Sequence, residues 1–288
     1  MIQARSLSDL RGALRSMGAE ANKGYAFVER GWYFTKRYWA WEVVWLIYNV
    51  VNALAVTFIS TAFQGTIHLT QEQLNHIILY LAIGTAIWSY VSVVFDGVTE
   101  TVTIERWEGT IEYTFMAPVS RLVHMLGICV FSLLHGFVLT ALQLIVLGMF
   151  FHIDLSGADW SAAIVILAIG SVSLIGLGIV SAILPMLFTE RGAQMAYIIR
   201  AVLLLVSGVY YPISVLPGWM QQISKVSPAT YLLDGLRGSI QNGKGLASLW
   251  SDIWPLLICG AISVPLGLFI FNRAERYAKR TGKLKRNG

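Results

Sequence analysis

Long apolar stretches alternate with short polar segments along nearly the whole chain. A helix needs about 20 predominantly apolar residues, within a range of about 17–25, to cross the hydrocarbon core of a bilayer. Six stretches reach that length, at approximately residues 40–62, 74–96, 121–151, 160–188, 195–211 and 250–271. The third and fourth are long enough to tilt or to extend beyond the bilayer. The pattern predicts an all-α integral membrane protein with six spans in one domain, residues 39–272.

The N-terminal segment, residues 1–38, carries a second periodic pattern. It lacks the continuous apolar core of about 7–15 residues that a signal peptide needs. Its apolar and basic residues recur at helical spacing, which predicts an amphipathic helix lying on the membrane surface. The alternative is a poorly ordered tail with chance periodicity. The residues of this pattern are Leu7, Leu10, Leu14 and Met17, with Arg5, Arg11 and Arg15 nearby.

Aromatic residues crowd the start of the first span. Tryptophan and tyrosine favour the headgroup level of a bilayer, where both the ring and its polar tip are satisfied. The patch is therefore interpreted as an interfacial anchor, and a contribution to a substrate access site is the alternative. It comprises Trp32, Tyr33, Phe34, Tyr38, Trp39, Trp41, Trp45 and Tyr48.

Composition and charge support a membrane protein and orient it. Hydrophobic residues make up 56% of the chain and charged residues only 13%, against about 25% charged in soluble domains. Eighteen Lys and Arg residues lie in the termini and in the second–third and fourth–fifth loops, and three lie on the other side: Lys225, Arg237 and Lys244. Basic residues mark the cytoplasmic side, so both termini, including the basic tail 273–288, are predicted to be cytoplasmic. The net charge of +5 comes from basic residues that lie beside the apolar spans, so it does not indicate nucleic-acid binding.

A charged segment, residues 104–117, separates the second and third spans. If it is one helix, Ile104, Trp107, Ile111 and Phe115 share one side, and Glu105, Glu108 and Glu112 lie towards the other. Pro118 then ends the helix. Two interpretations remain open on periodicity alone: a rod wedged between membrane helices and a soluble partner, or an ordinary interfacial loop helix with solvated charges.

The same segment resembles the coupling-helix signature of type-2 ABC transporter permeases. The matching strings are Glu105-Arg106-x-x-Gly109-Thr110-x-Glu112 and Ala117-Pro118-Val119-Ser120-Arg121. A second region is similar to the family's segment between the fifth and sixth spans. Its strings are Ser207-Gly208-Val209-Tyr210-Tyr211-Pro212-Ile213-Ser214-x-Leu216-Pro217-x-Trp219, then Ser227-Pro228-x-Thr230-Tyr231, then Asp234-x-x-Arg237. Trp107 is bulkier and more apolar than the motif suggests, and Asp96, Asp154 and Asp159 match nothing in the family pattern.

The resemblance implies a half-transporter: a permease subunit that pairs with a second copy or a paralogue and with separate ABC ATPase subunits, which bind ATP and Mg²⁺. It implies that residues 212–228 dip back into the membrane from outside. Residues assigned to ATPase coupling are Glu105, Arg106, Trp107, Glu108, Gly109, Thr110, Glu112 and Pro118. Residues assigned to an outer gate are Gly208, Tyr210, Tyr211, Pro212, Pro217 and Trp219.

Enzymatic chemistry finds little support in the sequence. The stretch Gly238–Gly245 nearly matches a phosphate-binding loop, but Gly245 replaces the hydroxyl residue that would ligate Mg²⁺. The five histidines lack metal-ligand spacing, and no acidic residue of the third span could serve His124 or His135 as a proton-relay partner. Cys129 and Cys259 lie in apolar stretches and are interpreted as small buried hydrophobes. The chain is therefore predicted to be no enzyme and to bind no cofactor or metal itself.

Polar residues of the first span are candidates for a substrate pathway. Glu42, Asn49 and Asn52 share one stripe, which is either a seam between helices or, together with Trp45, a wall facing substrate. Glu42 lies near the membrane edge, where it could reach headgroups or pair with Lys36. In the fourth span, glycine and serine favour close helix packing, and Pro185 predicts a kink.

The function expected from this resemblance is ATP-driven export across the cytoplasmic membrane. Apolar spans with few buried charges favour a hydrophobic or amphipathic cargo such as a drug, lipid or glycolipid. Export of a polysaccharide or glycoconjugate is one alternative. An ion-coupled secondary transporter is another and would show charges deep in its spans and inverted repeats. A membrane-embedded enzyme or a scaffold is a third.

Overall fold

The computed structural model describes residues 2–64, 70–152, 155–188 and 190–282, with side chains except at 2–17, 19, 63 and 64. These residues form helices and turns and no strand. The α-helices are α1 (Ile2–Arg37), α2 (Trp39–Gln64), α3 (Gln71–Glu108), α4 (Ile111–Met116), α5 (Arg121–Phe151), α6 (Trp160–Ser181), α7 (Ile183–Leu187), α8 (Gly192–Val206), α9 (Gly218–Ser224), α10 (Pro228–Ile240) and α11 (Trp250–Arg280). Short 3₁₀ turns occupy Ile213–Val215 and Leu246–Leu249.

Five helical stretches are long and apolar enough to cross a membrane, which indicates an integral membrane protein. They are Trp39–Ala62, Gln71–Glu108, Arg121–Phe151, Trp160–Leu187 and Leu246–Arg280. The predicted fifth span, 195–211, is wrong as one continuous helix, because α8 ends at Val206. Its 15 residues reach about 22 Å at 1.5 Å per residue, less than the hydrocarbon thickness of about 30 Å.

Helix α3 is the centre of the bundle. It packs against α2, α5 and α6, and α6 packs in turn along α11 and α10. Phe95, Val98 and Val102 of α3 are fully buried, so the core follows α3 along much of its length. The end of the bundle where α3 stops and α5 begins is called the basal end, and the opposite end, where α3 starts, the distal end.

Small residues let α6 and α11 approach closely, as the sequence predicts. The Ser173 hydroxyl donates to the Leu256 carbonyl oxygen at 2.7 Å, and the Ser263 hydroxyl donates to the Ser173 carbonyl oxygen at 3.1 Å. A Cβ atom at Gly176 would lie 2.2 Å from the Ser263 Oγ. The predicted break near Pro185 is also present, because α6 ends at Ser181 and Pro185 lies in the short helix α7.

We expect Gly176→Ala to lower the thermal midpoint of the purified protein. The added methyl would also meet the Ser263 backbone at 2.4 Å, and overpacking of this kind costs about 1–3 kcal/mol. Gly148→Ala is the matched control, because nothing lies within 4 Å of its Cβ position. Differential scanning fluorimetry in one detergent compares the two variants, and equal midpoints would contradict the close packing of α6 and α11.

Helix α1 runs beside α5 and nearly joins α2. Contacts advance together along the two helices: Gly24 meets Val123, Phe27 meets Gly127, and Gly31 meets Phe131. The Tyr38 amide still donates to the Phe34 carbonyl oxygen at 3.0 Å, and the Glu42 amide donates to that of Tyr38 at 3.3 Å. Residues 24–31 of α1 thus run alongside the first turns of α5, and the membrane-surface position of the N-terminal helix stays a prediction. The side chains of the pattern at residues 5–17 lie outside the described part.

Candidate functional site

The charged segment at the basal end is a corner built from two helices. Helix α3 continues to Glu108, and Gly109 ends it in the left-handed conformation, with φ of 73°. Helix α4 then starts at Ile111. The prediction of one amphipathic helix over 104–117 is therefore wrong, since the break at Gly109 rotates the two halves against each other. Ile111 and Phe115 enter the core, whereas Trp107 is 61% exposed.

Glu105 belongs to the interior of this corner and not to an exposed acidic face. Its side chain is fully buried. It accepts hydrogen bonds from Arg30 Nη1 at 2.5 Å and from the Thr114 hydroxyl at 3.2 Å. Arg106 is buried as well. One carboxylate thus joins α1, α3 and α4, and its charge is balanced by Arg30.

Arg121, the first residue of α5, ties the corner to the C-terminal helix. Its Nε lies 3.0 Å from a Glu275 carboxylate oxygen. Its two Nη atoms donate to the carbonyl oxygens of Thr114 at 3.2 Å and Phe115 at 2.6 Å. The guanidinium also lies 4.4 Å from the Phe115 ring centroid, close enough for a cation–π contact. A single side chain therefore holds α4, α5 and α11 together.

Helix α1 is attached to the same corner. The Phe27 ring lies 4.6 Å from the buried His124 ring, and the Phe115 ring contacts that histidine from α4 at 6.5 Å. Lys23 donates to the Pro118 carbonyl oxygen at 3.2 Å. Pro118 lies in the extended link between α4 and α5, where the sequence places the end of the helix. A displacement of α4 would therefore reach α1, α3, α5 and α11 at once.

An aromatic and acidic surface remains outside the corner. Tyr113 and Met116 of α4 are 73% and 72% exposed. Glu108 and Glu112 are exposed beside Trp107. Large aromatic side chains over a rigid base, with charge at the edge, are typical of protein–protein contacts. This surface, residues 107, 108, 112, 113 and 116, is called the basal face.

At the distal end, Arg237 fixes the chain reversal after α8. The buried guanidinium donates to the Gly208 carbonyl oxygen at 2.8 Å and to the Val209 carbonyl oxygen at 2.6 Å. It lies 3.6 Å from the Tyr80 ring centroid, and Tyr80 donates its hydroxyl to the Gly208 oxygen at 3.2 Å. Gly208 turns with φ of 73°. Gly84 leaves room for this joint, because a Cβ there would meet the Val209 oxygen at 2.3 Å.

Two short helices, α9 and α10, follow this turn. The chain runs inward to the end of α9 and outward again along α10. The Ser224 hydroxyl at the end of α9 donates to the Val206 carbonyl oxygen at 2.5 Å, so α9 returns to the level where α8 stops. Helix α10 then runs antiparallel to α6. Leu232 lies at Gly170, deep in α6, and the Ser239 carbonyl oxygen accepts from the Asp159 amide at its start. This path agrees in shape with a segment that dips inward and returns.

The residues assigned to the outer gate occupy different places along that path. Tyr210 and Pro212 line a cavity near α2 and α3. Tyr211 donates its hydroxyl to the Leu205 carbonyl oxygen at 2.8 Å. Pro217 precedes α9, and Trp219 of α9 is exposed. The structure thus brings Gly208, Tyr210 and Pro212 together near Tyr80 and leaves Trp219 on the surface.

The candidate pathway residues of α2 do not form one site within the chain. Trp45 contacts the rings of Trp41 and Tyr48 edge-on. Trp45 and Asn52 are exposed, and Asn49 is half-buried. The contact of Glu42 within the chain is with His135 Nε2 of α5 at 3.1 Å and not with Lys36.

Aspartates without a counterpart in the motif strings have structural partners. Asp96 of α3 forms an ion pair with Arg200 of α8. Asp159 caps α6, and hydrogen bonds from the Ser161 hydroxyl and the Ala162 amide lower the pKa of its carboxyl. Asp154 lies outside the described residues.

Other features of the sequence take no part in a chemical site. Gly238–Gly245 forms the end of α10 and the following turn. Cys129 and Cys259 are free thiols, buried and half-buried. No group of three or more His, Cys, Asp or Glu side chains within the described ranges could hold a metal ion.

Sequence reasoning missed several residues that build these two sites. Arg30, Glu275 and Tyr80 stand outside every motif, and the sequence marks Arg121 and Arg237 only as members of a motif and of the count of basic residues. The available signal was a charged or polar side chain beside an apolar span, because such a side chain is rarely found there without a partner. That signal marks the residue but does not identify the partner.

Residues 27–240 match the family model described as ABC-2 type transporter. The chain is also similar to the protein named "Probable multidrug ABC transporter permease YbhR" from Escherichia coli strain K12 and from Escherichia coli O157:H7. Each is 22% identical over 174 residues, which cover 60% of this chain and 46% of the relative. The chain therefore spans about half the length of the curated relatives it matches.

Proposed function

We propose that this chain, which belongs to the ABC-2 type transporter family, is the membrane subunit of an ATP-driven exporter. It works as a dimer with a second copy or a paralogue, and separate ABC ATPase subunits bind ATP and Mg²⁺. The basal face carries this proposal. It exposes aromatic and acidic side chains on a corner that is bonded inside to four helices, so a partner that pushes on it would move them together.

The ATPase subunits would dock on the basal face. Trp107, Tyr113 and Met116 offer the apolar contact, and Glu108 and Glu112 offer charge to basic groups of the partner. The interior bonds of Glu105 and Arg121 transmit the displacement, because closely packed side chains shift as a unit. Glu105, Arg106, Gly109, Thr110 and Pro118 thus shape the corner, while the exposed residues meet the partner.

The termini lie on the side of the ATPases in this proposal. The basal end carries the end of α11, since Glu275 contacts Arg121, and the basic tail follows it. The positive-inside rule then makes the basal end cytoplasmic. The protein is a multi-pass component of the cytoplasmic membrane, and α9 with α10 forms a re-entrant segment at the outer end.

The cargo we propose is hydrophobic or amphipathic: a drug, a lipid or a glycolipid. The spans are apolar, and the two similar Escherichia coli proteins are named as probable multidrug ABC transporter permeases. Export of a polysaccharide or glycoconjugate is less favoured, because rows of polar and aromatic residues do not extend through several described spans.

Ion-coupled transport is the second candidate, and the observation behind it is that two acidic side chains near the spans contact other helices. Asp96 forms an ion pair with Arg200, and Glu42 lies 3.1 Å from His135 Nε2. Each contact joins two helices, and Arg200 compensates the charge of Asp96, as a structural contact inside a membrane requires. We therefore assign both contacts to helix packing and favour the exporter.

The double change Glu108→Arg and Glu112→Arg tests the docking surface. Both side chains are exposed, so the protein should fold, while reversed charges should weaken binding of the ATPase subunits by about 10-fold or more. The measurement is co-purification of ATPase subunits and ATP hydrolysis after mild detergent extraction from native membranes. Glu105 is unsuitable, because a change there would disrupt the corner itself.

Lys225→Glu is the matched control, an exposed charge reversal at the opposite end. It should leave both co-purification and hydrolysis unchanged. If the Glu108/Glu112 variant keeps its ATPase subunits and activity, the basal face is not the docking surface. A wild-type chain that purifies alone and without ATP hydrolysis, with its ATPase expressed, would support the ion-coupled candidate.

A further inference from the structure

Two polar groups buried at the basal corner lack hydrogen-bond partners in the arrangement that the structure describes. The His124 ring of α5 is fully buried, and neither of its nitrogens has a hydrogen-bond partner among the described residues. The Glu105 carboxylate of α3 is equally buried, and its Oε2 has no hydrogen-bond partner there either. An unsatisfied polar group inside a protein costs free energy, so native structures contain few of them.

Helix α1 contacts both groups within one turn. The Phe27 ring lies 4.6 Å from the His124 ring, and Arg30, three residues later, pairs with Glu105 Oε1 at 2.5 Å. Arg30 also lies close enough to the His124 ring for its charge to act on it. One turn of α1 therefore touches the histidine and the carboxylate together.

Helix α4 contacts the same two groups through adjacent residues. The Thr114 hydroxyl donates to Glu105 Oε1 at 3.2 Å, and the Phe115 ring lies edge-on to the His124 ring at 6.5 Å. The two groups thus share both neighbouring helices, although no hydrogen bond joins them in the described arrangement. They are also complementary, because an imidazole N–H donates and a carboxylate oxygen accepts.

The charges at the corner favour a neutral ring in this arrangement. Arg30 and Arg121 both act on the ring, and a third positive charge beside them is unfavourable. Glu275 is already paired with Arg121 and Lys279, so Glu105 is the carboxylate that remains for the ring. The charged side chains of the corner, apart from the basal face, are Glu20, Lys23 and Arg30 of α1, Glu105 and Arg106 of α3, Arg121 of α5, and Glu275 and Lys279 of α11.

We propose that the basal corner has a second arrangement in which Glu105 exchanges Arg30 for His124. Arg30 moves into water, His124 takes up one proton from water, and the protonated ring donates to the free Glu105 oxygen. One positive charge leaves and one arrives, so the buried carboxylate stays compensated. Arg30 can leave at small cost, because its side chain is already 45% exposed. The exchange ties α3 to α5 and frees α1 from the corner.

A displacement of α4 favours this exchange, since α4 contacts both residues. That an ATPase supplies the displacement rests on the proposed function, whereas the exchange itself requires only the chain and a proton. The equilibrium constant for the exchange should rise about tenfold for each unit by which the pH falls, because one proton is bound.

Two spin labels measure the release of α1 in the full-length chain without an ATPase. Tyr25→Cys on α1 and Arg276→Cys on α11 are exposed positions, and Cys259→Ala removes the half-buried native thiol. Helix α11 stays bonded to α5 through Arg121. In lipid nanodiscs, a second distance should appear and gain population as the pH falls from about 7.5 to about 5.5, the range in which histidine takes up its proton.

His124→Phe retains an aromatic ring but binds no proton, so only the first distance should remain at both pH values. His76→Phe is the matched control, because it removes an exposed histidine at the distal end, and it should behave as the wild type. A single, pH-independent distance in the wild type, or an unchanged second distance in His124→Phe, would overturn the exchange. If His124→Phe fails to fold, Arg30→Gln replaces it, and the second distance should then dominate even at about pH 7.5.

Thermal midpoints provide an independent test on the same chain. His124→Phe should raise the midpoint of the wild type by about 2–4 °C, because it removes the unsatisfied ring nitrogens. In the Arg30→Gln background the same change should lower the midpoint, since Glu105 then loses its remaining charged partner. A rise in both backgrounds would mean that the ring only packs, and the proposal would be wrong. Neither measurement depends on ATPase docking, so the exchange and the proposed function can fail separately.

Discussion

An Arg121→Ala protein is expected to keep its ATPase subunits and to lose the transmission of their motion. The basal face lies outside the contacts of Arg121, so docking should survive. Inside the corner, the Thr114 and Phe115 carbonyl oxygens lose their donor, and the Glu275 carboxylate keeps only Lys279, at 2.7 Å. A buried acceptor left without a donor costs about 1–3 kcal/mol, so the junction of α4, α5 and α11 should loosen.

Spin labels make this loss measurable without knowledge of the cargo. Leu122→Cys at the start of α5 and Trp219→Cys on α9 are exposed positions at the two ends of the bundle, and neither lies on the basal face. In the complex with its ATPase, the distance distribution between the labels should change when ATP is added. With Arg121→Ala, this change should disappear while ATP hydrolysis continues, and the thermal midpoint should fall.

Arg121→Lys provides the control on geometry. It keeps the positive charge but not the planar fork that reaches two carbonyl oxygens and a carboxylate together. We expect an intermediate thermal midpoint and a reduced distance change. If Arg121→Ala retains the full ATP-dependent change, force does not pass from α4 to α5 and α11 through this side chain.

The second large effect is expected from Arg237→Ala at the distal end. The buried Val209 carbonyl oxygen would lose its donor, which costs about 1–3 kcal/mol, whereas the Gly208 oxygen keeps the Tyr80 hydroxyl. Loss of both bonds and of the contact with the Tyr80 ring should release the turn at Gly208. We expect faster amide hydrogen exchange in residues 207–227 and a lower thermal midpoint, with little change at the basal corner.

Lys225→Ala is the matched control for this variant, since it removes an exposed cation from the same segment. Its exchange pattern should equal that of the wild type. Unchanged exchange in Arg237→Ala would mean that the segment is held by the serine contacts, Ser224 to Val206 and Ser207 to Ser227, and not by the guanidinium.

Local properties of the sequence were sufficient to predict the main membrane-spanning helices. Five of the six predicted spans appear as long apolar helices, because length and hydropathy are read directly along the chain. The close contact at Gly176 and the break at Pro185 were also predictable, since each depends on what one residue type permits. The fifth span was predicted to extend too far, because the apolar run continues through Ser207 and Gly208 to Tyr211. The backbone already turns at Gly208, so the helix ends at Val206.

The candidate site was predictable in position but not in arrangement. The residues around Glu105 were recognised as special, yet the assumed continuous helix placed Trp107 inside and Glu105 outside. Glu105 continues the core-facing stripe of α3 through Val98 and Val102, and Gly109 separates that stripe from the buried residues of α4. Periodicity assumes an unbroken helix, so a face counted across the break groups residues that lie on different sides.

The sequence by itself determined that this is a helical membrane protein and which short segments depart from the apolar pattern. The bilayer requires a fixed span length, and that requirement is written in consecutive residues. Only the tertiary structure decided the partners: Arg30 with Glu105 across 75 positions, and Arg121 with Glu275 across 154. Such pairs depend on how distant helices cross, and no local period along the chain encodes that crossing.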